Sequence, residues 1–279
     1  MRSHSIFITR LGIAAALLCI SGCNLNAQSD EDVSLPILDT AVILKDCLAD
    51  GVAEKVCKKA LNNPEEAYYL GLRYEQGDNV KKDELKASSW YLLAAKKGNH
   101  RAETNLGALF VSGKGVSQDY ARGLFWLNRA QEGGDSVAML DLGLLSETGA
   151  GVTQDAAKAL EWYRKSAGLN NVDAEMKLGD AYYNGTLTDV HYEYAIIWYE
   201  LAAAQQNARA VYMLGVMHEK GQGVKKNPAR AFGYYQKAAG FDYPDACEKL
   251  VEMYRTGTGV RKNIRLSETW RQKALELKK

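Results

Sequence analysis

Apolar residues in this chain recur at i, i+4 and i+7, and the stripes they make return every 36 residues. From Ala138 to Asp173, Ala138, Leu142 and Leu145 form one helical stripe. Ala156, Leu160 and Tyr163, or Ala159, Trp162 and Ser166, form a second. Gly149-Ala150-Gly151-Val152 separates the two. Glycine just past a helix end supplies the left-handed backbone that a tight C-cap needs. The turn recurs at Gly113-Lys114-Gly115-Val116, Gly221-Gln222-Gly223-Val224 and Gly257-Thr258-Gly259-Val260. Asp83, Asp119, Asp155, Asn227 and Asn263 stand where each second helix would begin, and all can cap it. Each unit therefore predicts helix, glycine turn, helix.

The register is strict. Leucine followed by glycine appears at Leu70-Gly71, Leu106-Gly107, Leu142-Gly143, Leu178-Gly179 and Leu214-Gly215, and the sixth place holds Leu250-Val251. Nineteen residues after each glycine place stand Trp90, Trp126, Trp162, Trp198, Tyr234 and Trp270. A fixed period of this size predicts a solenoid whose units bury their apolar faces on one another. A glycine inside a helix costs roughly 0.5–1 kcal/mol against alanine. Its return predicts a close helix approach, with the Trp-Tyr pair of the second helix packed over it.

The motif A-x-x-x-L-G-x-x-Y-x-x-G-x-G-V, followed by D, A, W-Y and A-A, resembles the Sel1-like repeat, a relative of the tetratricopeptide repeat. Ala102, Leu106, Gly107, Gly113, Gly115, Val116, Asp119, Trp126 and Ala130 carry it in one unit. The resemblance implies an all-α fold: a right-handed α-solenoid of six helix hairpins over 65–279. In the fourth unit Leu187-Thr188 replace the Gly-Val pair and His191 replaces the aspartate, so a differently shaped turn is expected there. Members with a disulfide in each repeat have been linked to penicillin-binding or lactamase activity. This chain lacks those cysteine pairs.

The N-terminal stretch has another character. Arg2 and Arg10, the apolar run Leu11 to Ile20 and Ser21-Gly22 read as a secretory signal peptide over 1–22. Ile20-Ser21-Gly22-Cys23 resembles a bacterial lipobox, which implies cleavage before Cys23 and acylation of that residue. Ordinary secretion with a chance cysteine is the alternative. Asn24, where an aspartate would imply inner-membrane retention, leans toward a periplasm-facing anchor in the outer membrane. Residues 23–35 are polar and read as a lipidated tether. Residues 36–64 regain apolar spacing without the repeat signature and predict a helical cap. Cys47 and Cys57 flank Gly51 in it. On one helix they would lie about 15 Å apart. Only a hairpin turning near Gly51 could bridge them, in a compartment where disulfides persist. Cys247 reads as a buried, inert thiol.

Composition narrows the function. The chain has 35 Lys and Arg against 34 Asp and Glu, and removal of the leader leaves 33 against 34. Nothing in that balance suggests nucleic acid. His100, His191 and His218 fall in different units, without a HExxH motif or a nearby cysteine, and no GxSxG occurs. Gly107 to Lys114 has five intervening residues and glycine after the lysine, so it is not a phosphate loop. The expectation is a non-enzymatic protein with no cofactor and no metal.

In related solenoids the first helices line a concave groove. Counting six and three before each glycine, and one and four after it, selects the residues that would face it. The candidates are Tyr68, Leu72, Glu75, Leu140, Leu144, Glu147, Met176, Asp180, Tyr183, Tyr212, Val216 and Glu219. Glu65, Asp173, Asp245, Glu248 and Glu252 share these positions, as do Arg101, Arg209 and Arg255, so nine acids face three arginines. Apolar anchors within a charged rim suit a protein partner. A solvated helix face would show the same spacing. The expected function is a membrane-anchored periplasmic scaffold that binds another protein. Some exported members of the family neutralise secreted antibacterial phospholipases, which implies an immunity protein as its sharpest form. A peptidoglycan-active enzyme or a regulator of cell-wall metabolism is the alternative.

Overall fold

The computed structural model describes residues 39–278. The segments expected to be a signal peptide and a tether, with Cys23, lie outside the described residues. Two helices come first, α1 (Thr40–Ala49) and α2 (Glu54–Asn62). Six hairpins follow in chain order. They are α3 (Pro64–Gln76) with α4 (Glu84–Lys96), α5 (His100–Ser112) with α6 (Tyr120–Glu132), and α7 (Ser136–Thr148) with α8 (Ala156–Gly168). The others are α9 (Val172–Asn184) with α10 (Tyr192–Ala204), α11 (Ala208–Lys220) with α12 (Pro228–Gly240), and α13 (Pro244–Thr256) with α14 (Ile264–Glu276). Each helix packs mainly on its neighbours in sequence, and no strand occurs among the described residues. The fold is an α-solenoid.

Local chemistry accounts for the helix ends. Asp83, Asp119, Asp155, Asn227 and Asn263 cap the second helices, each accepting a backbone N–H with its side chain. His191 makes no such bond at the fourth unit, and Leu187 packs into the core there in place of the turn glycine. A second series recurs at the start of the first helices. Asn63, Asn99, Asp135, Asn171 and Asn207 cap α3, α5, α7, α9 and α11. The second turn glycine also joins units. A Cβ on Gly259 would come within 2.3 Å of the Pro228 carbonyl oxygen at the start of α12.

The mid-helix glycine is a contact point, though not for the tryptophan. The residue after the tryptophan place lies over it. A Cβ on Gly143 would stand 2.5 Å from Tyr163 Cε1, and Gly71, Gly179 and Gly215 face Tyr91, Tyr199 and Tyr235 in the same way. In the second unit Leu127 takes that place, and a Cβ on Gly107 would lie 2.8 Å from its Cγ. In the sixth unit Val251 replaces the glycine and Arg271 replaces the ring, so both partners of the contact change together.

The cap is fastened at both ends of its turn. Cys47 and Cys57 form a disulfide with Cα atoms 6.1 Å apart, across the turn that contains Gly51. Asp50 then accepts from the Tyr74 hydroxyl at 2.9 Å and from Lys86 Nζ at 2.5 Å. The Lys86 hydrogen bond, with help from Tyr74, holds the Asp50 carboxyl below its ordinary range. Cys247 is a free thiol, buried among the apolar residues of α13.

Candidate functional site

The candidate face is built by the first helix of each unit. Four of the acids on it, Glu75, Glu147, Asp180 and Glu219, are engaged within the chain and do not stand free as the spacing expects. Glu147, four residues after Gly143, accepts from the hydroxyl of the Tyr163 ring that covers that glycine. Lys177 of the next unit then reaches the same carboxylate at 3.2 Å and lies 5.9 Å from the Tyr163 ring. Two units on, the arrangement repeats. Tyr235 donates to Glu219 at 2.6 Å, and Lys249 lies 2.8 Å from that carboxylate. The fourth unit uses other positions for the same network. Tyr199 donates to Asp180 at 2.8 Å, and Arg209 grips Asp180 with two nitrogens at 2.8 and 3.0 Å. In the first unit Tyr91 donates to Glu75 at 2.5 Å, with Asn105 of the next unit hydrogen-bonded to Tyr91. Each network joins an acid, a core phenol and a polar side chain of the following unit.

These bonds set the protonation states. Burial, reinforced by the bond to Glu147, pushes the Tyr163 hydroxyl far above its ordinary range. Tyr91, Tyr199 and Tyr235 are raised in the same way by burial and by their carboxylates. Burial would raise Glu219, but the bonds from Lys249 and Tyr235 more than offset it and hold the carboxyl low.

The junction between the second and third units breaks the pattern. Val111 stands where Glu75, Glu147 and Glu219 stand, and Leu127 replaces the tyrosine. Asp141 occupies the position of Lys177 and Lys249. No hydrogen bond or ion pair to Asp141 occurs among the described residues. Burial and the like charge of Asp135 push its carboxyl up to about 6.

The remaining candidates divide by exposure. Leu72, Leu140 and Leu144 are half-buried. Tyr68, Met176 and Val216 are only 5, 6 and 7% exposed, so they belong to the core and not to an open rim. Met176 and Val216 are part of the buried apolar core, and the Tyr68 ring lies 5.9 Å from that of Tyr91. Arg101 lies 4.5 Å above the Tyr68 ring and closes it off. Tyr183 is half-buried and donates to Gln222 at 3.0 Å. Tyr212 sits between Tyr235 and Tyr243, with ring centroids 5.5 and 5.2 Å away, and burial pushes its hydroxyl up to about 12. Glu65 accepts from Asn99 at 2.8 Å, and Glu248 pairs with Lys278. The excess of acid counted from the spacing is thus largely answered from within the chain. The sequence reading missed Lys177 and Lys249 because they lie one position off the counted stripe. Their spacing of 72 residues, matched by Glu147 and Glu219, was the available signal.

Among the described residues no three His, Cys, Asp or Glu side chains gather as a metal site. Glu103 is buried at 1% exposure, where His100 Nδ1 and Arg129 Nη2 approach its carboxylate at 2.9 and 3.2 Å.

The Sel1 repeat profile matches residues 67–99, 100–135, 136–171, 172–207, 208–239 and 244–278. The chain is a Sel1-repeat protein. A Sel1 repeat protein from Oxalobacter formigenes is similar, at 28% identity and a TM-score of 0.72, over 85% of this chain and 99% of that one. A protective antigen of uropathogenic Escherichia coli with the same fold shares 29% identity at a TM-score of 0.70. The match covers 85% of this chain but only 48% of the antigen, so this chain spans about half its length. An immunity protein of Pseudomonas aeruginosa shares the fold at 20% identity and a TM-score of 0.50, over 78% of this chain and 82% of that one. No curated protein matches the chain. Sel1-repeat proteins are in general non-enzymatic scaffolds for protein–protein interaction.

Proposed function

We propose that this Sel1-repeat protein is a lipid-anchored scaffold of the bacterial envelope that holds another polypeptide along its first-helix face. One observation carries the reading. Ala108, Val111, Val137, Leu140 and Leu144 remain at least partly accessible on that face, while the polar side chains beyond them are fixed by networks within the chain. A rigid apolar stretch with a preorganised rim favours protein binding, because little is lost in ordering it. The leader and the Ile20-Ser21-Gly22-Cys23 motif support export and acylation. Asn24 supports the outer membrane, facing the periplasm.

Photo-crosslinking tests the face. A crosslinking amino acid at Leu144 should capture a partner from envelope extracts, whereas one at Ile197, exposed on α10, should not. Capture only from Ile197 rejects the face. The identity of the captured protein sharpens the reading. A secreted phospholipase would make this an immunity protein, and a cell-wall enzyme would make it a regulator of peptidoglycan metabolism. The anchor is tested separately, by loss of palmitate incorporation in Cys23→Ala.

A further inference from the structure

Four of the five junctions between repeats answer their groove acid with a group from this chain. Glu75, Glu147, Asp180 and Glu219 each hold a phenol, and the last three also hold a Lys or Arg. The remaining junction has an acid and no answer. Asp141 stands there half-buried, with no hydrogen-bonding or ionic partner among the described residues, and Asp135 adds a second negative charge nearby. The residues that replace the phenol and the acid of that junction are Leu127 and Val111, both apolar. Leu140 and Leu144 flank Asp141 along the same helix and keep part of their surface open.

We infer that the groove between the second and third repeats takes a Lys or Arg side chain of a partner polypeptide on the Asp141 carboxylate, with apolar partner residues to either side. The inference rests on the first-helix face being the binding face, and it names what that face selects. Charge complementarity decides the occupant. An ionised carboxylate among apolar side chains is unfavourable until a cation reaches it. Three of the other four junctions carry that cation in the chain, and at this one none of the described residues supplies it, which leaves the place to a partner. At pH 7 the group is charged, since its pKa of about 6 lies below that pH. An acidic or uncharged segment would leave Asp141 desolvated and unpaired, which discriminates against it.

The test uses a display library of random peptides selected on the full chain, in wild-type and Asp141→Asn forms. Enriched peptides should carry a Lys or Arg between apolar residues. Their affinity should fall about tenfold or more on Asp141→Asn, the loss expected when one member of a desolvated charge pair is removed. The same variant should melt no lower than the wild type, because it removes an unpaired charge and no contact. Peptides that lack the cation, or that bind both forms alike while competing with a Leu144 crosslink, overturn the Asp141 assignment and leave the binding face standing. A lower melting temperature for Asp141→Asn makes the residue structural and also overturns the assignment. Failure of either form to enrich any peptide rejects both readings together.

Discussion

The junction between the third and fourth repeats and the junction before it use the same backbone register for opposite ends. In the later one, Glu147, Tyr163 and Lys177 complete a network within the chain. In the earlier one, the same three positions hold Val111, Leu127 and Asp141, and the charge is left unanswered. The helices also meet differently. In the second unit Gly107 and Gly123 face each other, and a Cβ on either would lie 3.1 or 3.2 Å from the other's carbonyl oxygen. In the third unit Ala159 stands in place of Gly123, and a tyrosine ring fills the contact. A repeat thus spends one set of positions either on joining its neighbour or on facing outward. Self-satisfied polar groups stiffen a surface, and an unsatisfied one makes it selective.

The strongest way to break the comparison is to disturb the ring at the later junction. Gly143→Ala places a methyl 2.5 Å from Tyr163 Cε1, and the ring cannot swing away without leaving Glu147. Overpacking of this kind costs about 1–3 kcal/mol or more. Chemical denaturation should show a net loss of about 2 kcal/mol or more, after the roughly 0.5–1 kcal/mol that alanine recovers over glycine in a helix. Val251→Ala at the sixth unit, where Arg271 replaces the ring, should cost less. Equal losses at the two sites would remove the ring contact as the reason for the glycine.

The next effect has the opposite sign and belongs to the earlier junction. Asp141 binds its proton more tightly in the folded chain than in the unfolded one, since its pKa rises from 3.8 to about 6. It therefore costs no stability below the unfolded value, and its penalty grows as pH rises through the folded one. At pH 7 Asp141→Asn should stabilise the chain by roughly 1–3 kcal/mol. Near pH 4 the gain should vanish. Melting curves across that interval check it, and a gain that does not change with pH would mean that the charge is not the cause.

These two sites also mark how far the sequence could be read. The period, the hairpin units, the glycine turns and the capping residues Asp119 and Asp155 are visible because each is local and recurs at a fixed offset. The spacing puts the glycine contact on the right pair of helices but shares it between the tryptophan and the tyrosine, and the tyrosine alone lies over the glycine in the third unit. Periodicity gives a helix face to within one residue and cannot say which of two adjacent rings lies over a neighbour. The networks were harder to see. Their acid sits at Glu147 in one unit and at Asp180, a different offset, in the next. Their cation comes from the following repeat, so it is invisible to any reading of one unit alone. Tyr68, Met176 and Val216 show the same limit, since the spacing names a helix face and not how deeply that face is buried in the folded array.

A smaller effect separates the phenol from the cation in the later network. Tyr163→Phe keeps the ring over Gly143 and removes only the hydroxyl that donates to Glu147. Glu147 keeps Lys177, and its carboxylate is 27% exposed, so water can replace the lost donor. The cost should be about 1–2 kcal/mol, at the low end of the ~1.5–3 kcal/mol usual for a hydrogen bond to a charged group, because water takes the donor's place. Leu127→Tyr is the reciprocal change at the earlier junction, and it should not stabilise, because Val111 offers no acceptor there. A stabilising Leu127→Tyr, read from the same denaturation curves, would show that the ring matters without its bond.

The smallest expected change is the loss of the cation itself. Lys177 Nζ lies 3.2 Å from Glu147, with the lysine side chain 38% exposed. A pair this open to water is screened and contributes roughly 0.2–1 kcal/mol. Lys177→Met copies Met213, which holds the same place one unit later, and keeps most of the apolar stem that covers Tyr163. The variant should therefore lose less than one kcal/mol at low salt and almost nothing at high salt, where the Debye length falls to about 3 Å at 1 M. The comparison then becomes quantitative. At the later junction the cation is present and worth little, because its acid already has a phenol and some water. At the earlier junction the acid has neither phenol nor cation, so a partner's Lys or Arg should contribute more there than Lys177 does to folding. If Lys177→Met cost several kcal/mol and kept that cost in high salt, the two junctions would differ less than their residues suggest.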